Sequence, residues 1–190
     1  MDPLTHVFLP LLVAYVLRPD LFQRRRHYLI ALFGLLPDFD KLLGYPGLLH
    51  SLLTLAPICG LLLLIDYLYR GDTTYGWLAV LFVLSHLPLD IIEGVPVPLL
   101  YPIVATGVGF AYPMEILFGP DQGLFWFSFE GAPITVEFDQ PREGWASSNP
   151  NSPRTRFRFI NEFGVASTLT FFIVYLGTKL QNSTGEQRDG

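Results

Sequence analysis

The stretch GLLPDFDKLL, residues 34–43, interrupts an apolar run with Pro37 and then places two aspartates, Asp38 and Asp40, two residues apart. The residue before a proline is driven out of α-helical geometry, so a helix is expected to end here and the chain to turn. Carboxylates among so many leucines either cap a short helix at a water boundary or bind a cation. Which of the two applies depends on what the rest of the chain brings to this turn.

The composition of the chain predicts an integral membrane protein. Of 190 residues, 51% are hydrophobic and 15% are charged, and the mean hydropathy is +0.39. Soluble domains carry roughly 25% charged residues. The net charge of -5 offers no basic patch for nucleic acid. The single cysteine, Cys59, excludes an internal disulfide and a cysteine-based zinc cluster. The bilayer is therefore the expected partner, and no protein partner can be inferred.

Apolar runs separated by Pro, Gly and charged residues predict an all-α bundle of about six helices. The predicted helices lie at about 2–18, 21–36, 48–69, 73–92, 94–118 and 159–180. Asp2 followed by Pro3 is typical of a helix cap and first helical position. Short links at 18–20 and 70–73 predict two antiparallel helical hairpins, which the turn at residues 38–47 joins.

A different pattern separates the last two predicted helices. Phe125, Phe127 and Phe129 alternate with other residues, as do Ile134, Val136 and Phe138 after a Gly-Pro turn, and a period of two predicts a β-hairpin. The chain is accordingly divided into four parts. These are a helical membrane domain (1–118), a β-hairpin and polar loop insertion (119–158), a C-terminal transmembrane helix (159–180) and a disordered tail (181–190).

Ionisable residues inside apolar segments are costly and often mark function. In SHLPLD, His86 and Asp90 are four residues apart and share one helix face, where they could hold a metal or bond each other. His6 and His50 begin apolar helices, and each taken alone is typical of an interfacial histidine. The predicted hairpins nevertheless place all four residues at one end of the bundle together with Asp38. This convergence favours a metal site.

The motifs LTH near the start, GLLPDFD, LHS and SHLPLD, followed by G and YP, resemble the YdjM-like family of membrane-bound metal-dependent hydrolases. The match covers about residues 1–105. That family is distantly similar to the zinc-dependent phospholipase C and single-strand nuclease superfamily. The resemblance implies the metal ligands His6, Asp38, His50, His86 and Asp90, with Asp40 as a further one. The chain lacks the N-terminal Trp and the second His-x-x-x-Glu pair of the secreted enzymes, so one or two ions are expected instead of three.

Imidazoles and carboxylates together suit Zn²⁺, with Mn²⁺ or another divalent ion as the alternative. Asp38, Asp40 or Glu93 could then act as a general base towards water. The expected reaction is hydrolysis of a phosphoester or another amphipathic ester at the membrane surface, and the phosphoester rests on the superfamily resemblance. A non-catalytic protein with a structural metal and a proton- or ion-coupled transporter remain the alternatives.

The distribution of Lys and Arg predicts which way the site faces in a multi-pass plasma-membrane protein. With six spans, the side opposite the site would hold Arg18, Arg24, Arg25, Arg26, Arg70, Arg142, Arg154, Arg156 and Arg158. The site side would hold Lys41, Lys179 and Arg188. Cytoplasmic loops are enriched in basic residues. The metal site is therefore predicted to be extracytoplasmic.

Overall fold

A computed structural model describes residues 2–40, 47–113, 115–119, 126–130, 132–139 and 162–186. Within these residues the long α-helices are α1 (Pro3–Leu17), α2 (Leu52–Arg70), α3 (Thr74–Ile92) and α4 (Glu162–Glu186). Two 3₁₀ helices, Pro19–Phe22 and Arg25–Leu35, lie between α1 and α2. The predicted tail from 181 is helical as far as Glu186, and the residues after it lie outside the described part of the chain.

Local sequence accounts for how the first helices begin. The carboxylate of Asp2 accepts a hydrogen bond from the Leu4 N–H at 3.1 Å, which confirms the predicted N-cap. Ser51 caps α2 in the same way, because its Oγ accepts the Leu53 N–H at 3.2 Å. The Ser51 hydroxyl also donates to the Tyr101 carbonyl at 2.7 Å and lies 3.1 Å from the Leu99 carbonyl, so the cap ties α2 to the chain that follows α3.

The second predicted helix follows 3₁₀ geometry over Arg25–Leu35. A 3₁₀ helix rises about 2.0 Å per residue and an α-helix about 1.5 Å. The 11 residues of this segment therefore span about 22 Å, which matches the length of the 15-residue α1 beside it. The tighter winding lets a short segment carry the chain from one end of α1 to the other.

The prediction of a fifth helix at 94–118 is wrong. The described residues between Ile92 and Gly107 contain no helix, and strands β1 (Gly107–Ala111) and β2 (Glu115–Gly119) follow. Gly107 lies against the backbone of Pro96, where a Cβ would meet carbonyl atoms at 2.6 to 2.7 Å, so only glycine allows this close approach. The helical domain consequently ends near Ile92, and β structure begins before the predicted boundary at 118.

The predicted strands form, but they pair differently from the prediction. Strand β3 (Trp126–Glu130) pairs with β2, and β4 (Thr135–Asp139) pairs with β1, both antiparallel. Gly107 faces Asp139 in the first ladder, and Glu115 faces Glu130 in the second. In a single antiparallel hairpin the two residue numbers of every pair have the same sum, and here the sums are 246 in the first ladder and 245 in the second. The four strands therefore follow one long hairpin whose register shifts by one residue between the two ladders.

The base of this long hairpin is fixed next to α2. Val97 and Val108 exchange both backbone hydrogen bonds at 2.9 Å. Two residues later, the Leu99 carbonyl accepts the N–H of Leu52 at 2.9 Å. The hairpin therefore starts at the end of the bundle where α2 begins and α3 ends. Phe125 and residues 140–161 of the predicted insertion lie outside the described residues.

The last helix runs parallel to α1. Gly164, in the first turn of α4, lies against the carboxylate of Asp2, and the rings of Tyr15 and Tyr175 are 5.9 Å apart near the other end. Because the predicted fifth span is absent, α4 runs in the direction opposite to the prediction. Lys179 therefore lies at the end of the bundle that carries Arg18, and the nine-to-three distribution of basic residues does not hold.

Helix α3 is the centre of the bundle. The helices α2, α3 and α4 are long and apolar enough to cross a membrane. Half of the most apolar stretch of α3 is buried (50%), against 11% of that of α2 and 17% of that of α4. One core cluster around Phe82 joins α3 to α1, the 3₁₀ segments and α4, and a second around Leu55 and Val83 joins it to α2. The outer faces of α2 and α4 remain apolar and exposed, as expected for helices in contact with lipid.

Candidate metal centre

Five of the predicted ligands converge at one end of the bundle. His6 lies near the start of α1, and His86 and Asp90 lie one turn apart near the end of α3. Asp38 follows the 3₁₀ segment Arg25–Leu35, and His50 precedes the cap of α2. The two helical hairpins thus bring together side chains that are up to 84 residues apart in the sequence, as the motif spacing predicts.

The carboxylate of Asp90 lies at the middle of the cluster. Its Oδ1 is 2.9 Å from Nε2 of His6, and its Oδ2 is 3.3 Å from Nε2 of His50 and 3.4 Å from Nε2 of His86. The Nε2 atoms of His50 and His86 are 3.2 Å apart. Asp38 Oδ1 approaches the same two nitrogens at 3.9 and 3.6 Å. Three imidazoles and two carboxylates therefore share one small volume.

The opposite ring nitrogen of each histidine has an oxygen partner. Nδ1 of His6 donates to the Asp2 carbonyl at 2.9 Å, and Nδ1 of His86 donates to the Gly34 carbonyl at 2.7 Å. Nδ1 of His50 donates to Oδ2 of Asp40 at 2.8 Å. Because these oxygens only accept, each Nδ1 holds the proton of the neutral ring, and each Nε2 presents a lone pair to the centre.

The centre therefore consists of acceptors that face one another. Neutral His50 and His86 present two lone pairs across 3.2 Å, and Oδ2 of Asp90 is buried without a hydrogen-bond partner. Such an arrangement is repulsive unless a cation or additional protons lie between the groups. The residues fit a divalent metal ion for this reason, independently of any resemblance.

The donor atoms form two overlapping groups, each within 4.8 Å. We call His6, His86 and Asp90 the inner triad, and Asp38, His50 and His86 the outer triad. His86 belongs to both triads. Imidazole nitrogens with carboxylate oxygens are the donor set that zinc and related divalent ions take. The arrangement offers two sets of three ligands that share His86.

Asp40 acts on the site through His50. Its Oδ2 accepts hydrogen bonds from the Gly47 N–H at 2.9 Å, the Leu49 N–H at 3.1 Å and Nδ1 of His50. Gly47 has φ +94°, a conformation that favours glycine and turns its N–H towards the carboxylate. Asp40 is absent from both triads, and its hydrogen bond to Nδ1 orients the ligand His50.

Comparison with known proteins identifies the family of this chain. A family model described as YdjM inner membrane protein matches residues 1–180. The chain belongs to the YdjM inner membrane protein family. No curated protein and no solved structure gives a significant match to it. Membership of this family and the three long apolar helices together identify a membrane protein.

The electrostatics of this YdjM family member favour a positive charge at the outer triad. Burial alone would lower the pKa of His50, but the neighbouring carboxylates of Asp40 and Asp90 outweigh burial and raise the pKa above the usual 6.5. In the ion-free protein these carboxylates therefore favour an additional proton on His50. A divalent ion would replace that proton.

Only one of the five converging residues reaches the surface. The side chain of Asp38 is 20% exposed, whereas those of His6, His86 and Asp90 are fully buried. The outer triad is thus the open side of the centre. Glu93, one turn beyond Asp90, is half-buried, and its Oε1 has no hydrogen-bond partner. Burial raises the pKa of Glu93 above its usual value.

Two residues that support the site were not predicted from the sequence to be functional. Asp2 was predicted only as a helix cap, yet its carbonyl holds His6 and its buried carboxylate lies against the first turn of α4. Gly34 supplies the carbonyl for His86, and a Cβ at Gly34 would lie 2.5 Å from the carbonyl oxygen of His6. No sequence motif indicates that Asp2 and Gly34 hold these histidines, because both do so through backbone carbonyls.

Proposed function

We propose that this YdjM family member is a membrane-bound metal-dependent hydrolase. The observation that carries the proposal is the acceptor-only centre around Asp90, in which three Nε2 atoms and two carboxylates converge and one member, Asp38, is exposed. A buried structural site has its ligands closed around the ion, whereas a catalytic site keeps an open position. The exposure of Asp38 therefore supports a catalytic site with an open coordination position.

The inner triad and the outer triad would hold one or two divalent ions, and Zn²⁺ or Mn²⁺ suits their nitrogen and oxygen donors. A bound ion would act as a Lewis acid and would lower the pKa of water, which supplies a nucleophile near neutral pH. The protein's own contribution is to fix the three imidazoles through Asp2, Gly34 and Asp40 and to exclude bulk water from all but the Asp38 side.

Glu93 is our candidate for the general base among the three predicted carboxylates. Asp40 already accepts three hydrogen bonds through one oxygen, and Asp38 belongs to the outer triad. Glu93 belongs to neither triad, and its pKa is raised towards the range in which a carboxylate accepts protons efficiently. Glu93→Gln should reduce turnover and leave the metal content unchanged. Glu137→Gln, on the exposed strand β4, is the matched control.

The substrate class follows from the position of the site. The open side lies at one end of apolar helices, next to exposed Phe39 and Leu53, so an amphipathic ester in the membrane surface could reach it. Hydrolysis of a phosphoester is our specific proposal, and it rests on the resemblance to the phospholipase C and nuclease superfamily. A lipid or another amphipathic phosphoester is therefore the proposed partner besides the bilayer.

The decisive experiment is a hydrolysis assay on full-length protein in mild detergent, with soluble and lipid phosphoesters and with a carboxylic ester. A chelator should abolish the activity, and added Zn²⁺ or Mn²⁺ should restore it. His86→Ala should remain inactive after metal addition. Activity that survives complete metal removal would contradict the proposal.

A structural metal is the second candidate, and the burial of the inner triad favours it. A structural ion would stabilise the bundle without turnover. Stoichiometric metal, a large fall in melting temperature on chelation and no hydrolysis of any ester in the screen would support this candidate over the hydrolase.

We further propose a multi-pass arrangement in which the metal centre faces outward. In the described part of the chain, Arg18, Arg24, Arg25, Arg26, Arg70 and Lys179 all lie at the end opposite the centre, which is the pattern of a cytoplasmic side. Residues 140–161 contain four more arginines but lie outside the described part of the chain. The proposal therefore rests on the basic residues of the short turns. In a Cys59→Ala background, an impermeant thiol reagent on intact cells should label Ile103→Cys and spare Gln23→Cys. The reverse result would invert the orientation.

A further inference from the structure

The end of the bundle opposite the metal centre carries a second pocket that the proposed function does not use. It has a volume of about 650 Å³ and lies between the 3₁₀ segment Arg25–Leu35 and the turn that joins α2 to α3. Arg24, Arg26 and Arg70 line it together with His27 and Tyr75. We propose that this pocket binds the phosphate headgroup of an anionic phospholipid in the membrane leaflet at this end.

The charges of the pocket are not balanced by the protein. Arg70 lies 3.6 Å from Asp66 and 3.4 Å from Asp72. Neither the guanidinium group of Arg24 nor that of Arg26 has an ion pair or a hydrogen bond within the described part of the chain.

The one carboxylate that lines the pocket is already paired. Both oxygens of Asp20 accept hydrogen bonds from the guanidinium of Arg18, at 3.0 and 2.8 Å. Two guanidinium groups therefore remain without an acid partner, and a phosphate is the ligand that guanidinium groups bind best.

One wall of the pocket is held in place by stacked side chains. The guanidinium carbon of Arg70 lies 4.0 Å above the ring of Tyr75, and the rings of Tyr75 and His27 have centroids 4.6 Å apart. Nδ1 of His27 donates to the Leu21 carbonyl at 2.7 Å, which fixes the imidazole. A prearranged wall with polar groups reduces the entropy cost of binding a headgroup.

The surroundings indicate a lipid in preference to a free anion. Tyr69, which lines the pocket, is 90% exposed, and Tyr67 and Trp77 on either side of the turn are 57% and 60% exposed. Exposed Tyr and Trp at the ends of apolar helices are typical of the membrane–water interface. The pocket therefore lies at the depth of the headgroups, where basic pockets between helices bind anionic lipids.

The test measures binding of phosphatidylglycerol to full-length protein in phosphatidylcholine nanodiscs. The pocket variant is Arg24→Gln with Arg26→Gln. The control variant is Arg25→Gln with Lys179→Gln, which removes the same charge at the same end, while Arg25 lines a separate apolar groove. The pocket variant should bind phosphatidylglycerol about thirtyfold more weakly, at about 1 kcal/mol for each basic residue. The control variant should change binding less than threefold.

Three results would overturn the inference. Equal losses in both variants would indicate diffuse surface charge, and equal binding of phosphatidylcholine and phosphatidylglycerol to the unmodified protein would exclude recognition of an anionic headgroup. Displacement of the lipid by inorganic phosphate at the same concentration would exclude a lipid as the ligand. Unchanged metal content and melting temperature in the pocket variant verify that the protein is folded. These readouts are independent of the hydrolase proposal.

Discussion

Nε2 of His50 and Nε2 of His86 lie 3.2 Å apart, although the other nitrogen of each ring donates its proton to an oxygen. Two neutral imidazoles in these tautomers cannot hydrogen-bond each other, so a proton or a cation must lie between them. The cluster is therefore arranged around a positive charge, and the predictions below concern that charge and the residues that hold its ligands.

We expect the metal content to depend on α3. His86→Ala removes the residue that both triads share, and Asp90→Ala removes the central carboxylate, so each should lower the bound metal well below one ion per chain. Metal analysis of protein purified in mild detergent measures this. His27→Ala, a histidine at the opposite end, should leave the content unchanged. Full metal retention in the His86→Ala, Asp90→Ala double variant would contradict the assignment of the site.

Asp40→Asn tests the orientation of His50. The amide can replace at most part of the three hydrogen bonds that the carboxylate oxygen accepts, so metal affinity should fall by about 10- to 100-fold. Saturating metal should restore full occupancy, because the donor atoms remain. Competition with a chelator of known affinity measures the change. Asp66→Asn, which alters a carboxylate that accepts from the Gly76 N–H at the other end, is the matched control. Loss of occupancy at saturating metal would make Asp40 a ligand.

Gly34→Ala should destabilise the protein by about 1–3 kcal/mol, since the new methyl group meets the carbonyl oxygen of His6 at 2.5 Å and forces α1 away from the 3₁₀ segment. It should also weaken metal binding, because the Gly34 carbonyl holds His86. Gly60→Ala in α2 is the control, as a Cβ there meets no atom within 4 Å. Thermal unfolding in detergent compares the two, and equal melting temperatures would disprove the predicted close contact.

Metal binding should release protons and should weaken as the pH falls. The pKa of His50 is raised in the ion-free protein, so a metal ion must displace a proton at a pH below that value. Apparent affinity should then fall by about tenfold per pH unit for each displaced proton. Calorimetry in buffers of different ionisation enthalpy counts the protons. A binding enthalpy that does not depend on the buffer would mean that no proton is displaced.

The same raised pKa has the opposite effect on the stability of the ion-free protein. A histidine with a folded-state pKa above its unfolded value contributes stability that is complete below about pH 6.5 and is lost as the pH rises through the folded-state pKa. Chelated protein should therefore melt at a lower temperature as the pH rises through that range. In His50→Gln this part of the pH dependence should disappear.

The sequence by itself determined where three of the helices lie and which residues meet in the cluster. Caps, prolines and charged turns located α1, α2 and α3 to within a few residues, because these signals act within one helical turn. The depth of residues in an antiparallel hairpin follows from the rise per residue, so the meeting of His6, His50, His86 and the aspartates could be predicted.

The tertiary structure decided the features that depend on contacts between residues far apart in the sequence. Residues 107–119 are apolar enough for a helix, but their backbone hydrogen bonds are made with residues 126–139, and no local pattern encodes such pairing. The absence of that one helix reverses α4 and moves Lys179 to the arginine-rich end. The supporting roles of Asp2, Gly34 and Asp40 also follow only from the tertiary structure. Two backbone carbonyls and one carboxylate oxygen hold the three imidazoles, and the sequence does not show which oxygen each imidazole contacts.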